Sequence, residues 1–230
     1  VASKAEKDLI AGQLYFFRAW WHTELMQYFG GLPYIDTYLD LNSELNLPRL
    51  SYQECAEKAA ADYRKAADLL PINWDNEYDG AATQGKNDLR INKIMALGYL
   101  GKTYLWAASP LMKNGAQVGA SKNGKTYDYD EEFAKKAAEV FGELLTLVEG
   151  GQTQYGLAEF KYKDVYNHER SADANSCFSD IFYTKKQNWK MPGSIEAIFR
   201  GPSADFNGSN WNTSKVFGPK VDKVVAHDNV

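Results

Sequence analysis

The sequence predicts an all-α protein built from antiparallel helix pairs with long irregular insertions. Three observations carry that expectation. Four segments, near residues 6–29, 51–70, 92–109 and 130–148, place apolar residues at steps of three or four, the period of a helix with a buried face. Each segment is followed by a breaker: Gly30-Gly31 with Pro33, Pro71, Pro110 and Gly150-Gly151. Small and aromatic residues recur on these helices at spacings that let two helices approach closely.

The first helix contains "FFRAWWHTELMQYF" and its helical pattern runs from about residue 4. Ile10, Leu14, Phe17, Trp21, Leu25 and Tyr28 form one stripe. Leu9, Phe16 and Trp20 form a second face, and Tyr15, Ala19, Met26 and Phe29 a third. A helix apolar nearly all round is expected to be buried on several sides. Trp20 and Trp21 are therefore expected in the core, with Arg18 and Trp21 serving stability and not ligand binding. Residues 36–50 read as an irregular linker. The second helix starts at Ser51, where Ser51 and Glu54 have capping-box spacing, and ends before Pro71. Residues 72–91 read as a polar loop. The third helix starts near Asn92 and carries Leu97, Leu100, Tyr104 and Ala107 on one stripe. Residues 111–127 read as loop, and the fourth helix runs from about Asp130 to Val148.

From residue 152 onward the helical signals fade. "IEAIFR" (195–200) reads as a short strand beside an Asn-, Gly- and Ser-rich loop. The expected organisation is one domain over 1–230, with a helical scaffold over 4–150 and a loop-rich segment over 151–230. The chain starts at Val1 and ends on "KVVAHDNV", so it is expected to be part of a longer protein.

The helices carry a degenerate repeat. Leu100-Gly101-x-x-Tyr104 fits the first helix of a tetratricopeptide pair, and Ala137, Phe141 and Leu144 fit the second. In the earlier pair Ala59, Tyr63, Ala66 and Pro71 match the second helix. Ala19 supplies the small residue of the first, with His22 where Tyr is usual. Both pairs are split by insertions far longer than a turn, and such insertions fall on one face, often the binding face.

Little in the chain points to catalysis. A net charge of −4 gives no draw toward nucleic acid or an anionic membrane surface, and no apolar run approaches the roughly 20 residues of a bilayer span. Cys55 and Cys177 lie in no CxxC motif and read as small apolar residues that do not pair. "HTELM" from His22 lacks the second histidine of a zinc-protease helix. "DNEYDG" (75–80) resembles the start of a calcium loop, but the twelfth position is Lys86 where a bidentate Glu is needed, so a solvated acidic turn is the expectation. There is no phosphate loop and no nucleophile elbow. Asn207-Gly208-Ser209 and Asn212-Thr213-Ser214 match the glycosylation pattern but read as loop composition. No metal, cofactor or catalytic residue is predicted. Two readings stand beside a binding function: a helical scaffold that binds only protein, and a helical glycoside hydrolase or lyase whose paired carboxylates sequence spacing does not reveal.

As an ordered set, the segments resemble the SusD/RagB family of Bacteroidetes outer-membrane lipoproteins. "FFRAWWHTELMQYFGGLPYI" looks like its aromatic helix with a Phe-Gly-Gly-x-Pro stop. "PRLSYQECAEKAAADYRKAADLLP" looks like its Arg-x-Ser helix start with a Leu-Pro end. "RINKIMALGYLGKTYLWAASP", "YDYDEEFAKKAAEVFGELL" and "SIEAIFR" follow in the family's order, with Asn92 where the family usually has Thr. The resemblance implies a non-catalytic, glycan-binding lipoprotein on the outer face of the outer membrane. It also implies oligosaccharide or polysaccharide as ligand, a SusC-type TonB-dependent porin as partner, and membrane contact only through a lipid anchor upstream of Val1. Glycan sites in the family lie on loops outside the repeats. The candidates here are Trp211 with Asn207, Asn210 and Asn212, then Trp189 and Tyr183, with Trp74 and Tyr78 on a separate loop.

Overall fold

The structure is a computed structural model, and it describes residues 2–43, 46–87, 90–114, 129–157, 198–199, 220–221 and 224–225. The chain forms two compact units, 1–154 and 155–230.

The first unit is helical. Helices α1 (Lys4–Phe29), α2 (Tyr52–Leu69), α3 (Lys93–Ala108), α4 (Pro110–Asn114) and α5 (Glu131–Glu149) follow in order, with two 3-10 turns, Trp74–Asn76 and Tyr78–Thr83, between α2 and α3. The four long helices start and stop within two residues of the expected positions. Their ends are chemically specified. Ser3 with Glu6 and Ser51 with Glu54 each form a reciprocal capping box, and Asn92 and Asp130 accept from the backbone N–H three residues on. Gly30 closes α1, its N–H donating to the Met26 carbonyl at 3.0 Å.

One short helix was not expected. Residues 111–127 read as loop after a helix-ending proline, yet Pro110 opens α4 (Pro110–Asn114). Proline is well suited to a first helical position, where its missing N–H costs nothing, and Ser109 Oγ accepts from the Met112 N–H at 3.4 Å.

Packing runs along the chain order: α1 on α2, α2 on α3, and α3 on α5. Small residues set the approach. Ala19 on α1 and Ala56, Ala59, Ala60, Ala66 and Ala67 on α2 are buried, with Tyr63 and Phe16 filling the space at 5.5 Å, edge to face. Gly101 does the same for α3 and α5: a Cβ there would lie 2.6 Å from the Phe141 ring. That pair is the Leu-Gly-x-x-Tyr and Ala-x-x-x-Phe match of the sequence, so the repeat spacing reports a real close approach.

The first helix departs from expectation. The stripe Ile10, Leu14, Phe17, Trp21, Leu25 and Tyr28 is exposed, with Trp21 at 60% of its full area. The buried residues are Gly12, Phe16, Ala19 and Met26. Trp21 is therefore not a core residue. Trp20 is half-buried and meets the Trp21 ring edge-on at 4.6 Å. The reason is position: α1 is the outer helix of the array and packs chiefly on α2, so only the strip that carries Gly12, Phe16, Ala19 and Met26, which crosses the second and third faces and whose small residues allow close contact, is buried. Trp21→Ala is accordingly expected to cost about 1 kcal/mol or less, within the range of surface changes, in urea unfolding. A cost near that of a buried tryptophan would show that the stripe is covered.

Cys55 is a buried free thiol that donates to the Leu32 carbonyl at 3.1 Å, and burial pushes its pKa up. Cys177 lies outside the described residues. In the second unit, Lys220–Val221 pairs antiparallel with Val224–Val225, and the Tyr155 hydroxyl donates to the Ile198 carbonyl at 3.4 Å. Of the expected strand 195–200, only Ile198 and Phe199 are described, and they belong to no strand.

Candidate functional site

The six loop residues singled out for ligand contact, Tyr183, Trp189, Asn207, Asn210, Trp211 and Asn212, lie outside the described residues. The described surface contains two other arrangements that bear on function.

The first is a polar network where α1 stops. The buried carboxylate of Asp62, on α2, accepts from Arg18 Nε at 2.7 Å and Nη2 at 2.6 Å, and from the Tyr34 hydroxyl at 2.9 Å. Arg18 Nη1 also donates to the Asp36 carbonyl at 3.1 Å. His22 Nδ1 lies 2.7 Å from the Arg18 carbonyl, and its Nε2 accepts from the Ile35 N–H at 3.1 Å. The ring therefore carries its proton on Nδ1 and stacks on Tyr34 at 3.9 Å. Burial, then the Asp62 charge, raises the Tyr34 hydroxyl far above the usual phenol range. The network straps residues 34–36 back onto α1 and α2. Every group in it is satisfied by another, which is the pattern of a structural clasp and not of a site awaiting a ligand. His22 is thus a clasp residue, with both ring nitrogens engaged by backbone groups.

The second arrangement is an open cleft of about 610 Å³ where the start of α1 faces the end of α2 and the second 3-10 turn. Leu9 and Leu69 line it together with Glu6, Glu77, Tyr78 and Asp79. Its wall is rigid for local reasons. Trp74 is 1% exposed, donates from Nε1 to the Ile91 carbonyl at 2.7 Å, and lies under the Arg90 guanidinium at 3.5 Å. Gly80 packs against Trp74 so closely that a Cβ would lie 1.8 Å from the Trp74 carbonyl oxygen. Asn87 Nδ2 donates to Asp75 Oδ1 at 2.6 Å and to the Gly80 carbonyl at 3.1 Å, and the Gly85 N–H donates to Asp75 Oδ2 at 3.1 Å.

These contacts bear on three expectations. Trp74 is a loop anchor and is withdrawn as a ligand candidate. Asp75 closes the loop on itself, accepting from the Gly85 N–H and Asn87 Nδ2, and no cluster of three metal-ligating side chains occurs among the described residues. Tyr78 is different: it is 93% exposed. Glu77 and Asp79 beside it make no side-chain hydrogen bond or ion pair among the described residues. Sequence reasoning placed these two acids in a solvated turn and did not connect them with α1, because the cleft joins residues about 70 positions apart. Glu6 is engaged by the Ser3 backbone and hydroxyl, which hold its carboxyl below the usual range.

No helix among the described residues is long and apolar enough to cross a membrane. Residues 1–105 match the family SusD-like_3, described as starch-binding and associating with the outer membrane. Among solved structures, the chain is similar to selenomethionine BT4246, with 21% identity over 80% of this chain and 32% of that one, at a TM-score of 0.50. It is also similar to a SusD-like protein from Bacteroides fragilis (18% identity, 69% and 23% covered, TM-score 0.49). A SusD homologue from Bacteroides thetaiotaomicron matches at 23% identity, with 67% and 25% covered and a TM-score of 0.48. The chain thus spans roughly a quarter to a third of the length of these structures. No protein of curated function matches it.

Proposed function

We propose, from the match of residues 1–105 to a SusD-like family, that this chain is the glycan-capturing part of a non-catalytic surface lipoprotein. The match of its first helices to a family described as starch-binding and associating with the outer membrane carries the reading. The helical pairs serve as scaffold. Captured oligosaccharide passes to a SusC-type TonB-dependent porin, and a lipid anchor belonging to the longer protein holds it at the outer surface. A starch-type α-glucan is the first ligand to test.

Within this reading, Trp211 with Asn207, Asn210 and Asn212 forms the main sugar platform. A pyranose has an apolar face of C–H groups and a rim of hydroxyls. An indole suits the first, and Asn amides both donate to and accept from the second. A site open to water gains little per contact, so the affinity expected is about micromolar to millimolar. Calorimetry of the full-length protein with maltoheptaose and a panel of other oligosaccharides tests this. Trp211→Ala is expected to weaken binding about tenfold or more with its unfolding midpoint unchanged. Wild-type affinity in that variant would move the platform to Trp189 and Tyr183. Release of new reducing ends from a polysaccharide, abolished by changing one carboxylate, would establish a hydrolase or lyase instead. Binding of the porin with no binding of any glycan would establish a scaffold.

A further inference from the structure

We propose that the cleft walled by Tyr78 is a second saccharide subsite, one that takes neutral sugar rings and rejects acidic ones. The proposal rests on the glycan-binding reading above and adds to it a place and a selectivity.

Three observations meet there. The cleft is about 610 Å³, within the size range of small-molecule sites and roomy enough for more than one pyranose ring. Tyr78 leaves 93% of its area in water, although Trp74, four residues earlier, is almost wholly buried. The anchor holds the turn while the outer ring stays free, which gives a flat aromatic face on a backbone that does not have to be ordered on binding. The Leu9 and Leu69 side chains line the same cleft. A pyranose stacks its C–H face on the phenol ring, and the carboxylates of Glu77 and Asp79 accept hydrogen bonds from its hydroxyls. Such charge-assisted bonds are about twice as strong as neutral ones.

Selectivity follows from sign. Glu6 and Asp8 also line the cleft, but Asp8 is paired with Lys4 and Glu6 is held by Ser3, so Glu77 and Asp79, which make no side-chain ion pair among the described residues, supply the open negative charge. A uronic acid or sulfated sugar would bring a like charge into that field, while a neutral glucan would not.

The test uses methyl and ring NMR of the full-length protein, following Leu9, Leu69 and Tyr78. Maltoheptaose is expected to shift these signals in a saturable way, and oligogalacturonate is not. Tyr78→Ala should weaken the response about three- to tenfold, Tyr78→Phe should keep it, and the double change Glu77→Gln with Asp79→Asn should admit the acidic oligomer. The proposal is overturned if maltoheptaose binds by calorimetry while these signals stay still, which leaves the main platform standing. It is also overturned if the acidic oligomer shifts them equally, or if calcium chloride alone reproduces the shifts and the sugar adds nothing. Absence of any glycan binding in calorimetry would instead remove the broader reading.

Discussion

Arg18→Ala is expected to lower the unfolding free energy by about 3–5 kcal/mol, the loss typical of breaking a buried ion pair from one side. The effect comes from the carboxylate left behind. Asp62 is 3% exposed in the middle of α2, and the Arg18 fork donates to both of its oxygens. Without the guanidinium, the carboxylate keeps, among the described residues, only the Tyr34 hydroxyl as a side-chain donor. The same change frees the Asp36 carbonyl and loosens residues 34–36. Arg18→Lys should recover only part of the loss, because an ammonium is a single point donor and does not reproduce two parallel bonds. Urea unfolding of the three proteins measures this. A loss below 1 kcal/mol for Arg18→Ala would mean that Asp62 is reached by water and that the clasp is not what holds the segment after α1.

Trp74→Ala is the second large effect, with an expected cost of about 3–5 kcal/mol. The ring is among the largest fully buried side chains, so its removal leaves a cavity beneath both 3-10 turns. It also leaves the Ile91 carbonyl without its donor and Arg90 without the face it stacks on. Trp74→Phe separates the contributions: it refills most of the volume and still costs about 1–3 kcal/mol for the unpaired carbonyl. Hydrogen exchange adds a local readout. The amides of Asn76, Glu77 and Gly80, which bond within the turns, should lose protection in Trp74→Ala more than those of α5. Equal loss everywhere would show that the turn and the helices unfold as one unit and that Trp74 anchors nothing locally.

Both residues show how far a one-dimensional reading goes. Arg18 was expected to matter for stability, and the clasp provides the mechanism, but its partner Asp62 lies 44 positions away and no spacing rule connects them. Trp74 sat on a polar loop and was a ligand candidate. Its burial depends on Ile91 and Arg90, which approach only when the loop closes through Asp75 and Asn87.

By itself the sequence determined the four long helices, their caps and stops, and the close contacts at Ala19 and Gly101, because all of these rest on local chemistry. Helical period, a serine three residues before a glutamate, and a glycine or proline after an apolar run act between neighbours in the chain. The tertiary structure alone decided which apolar residues of α1 are buried. An isolated helix offers all three faces, and only its place at the edge of the array, with α2 as its main partner, selects the strip of Gly12, Phe16, Ala19 and Met26. It also separated Trp74 from Tyr78. The two aromatics share a loop and a composition, and they differ only in whether the folded chain passes over them.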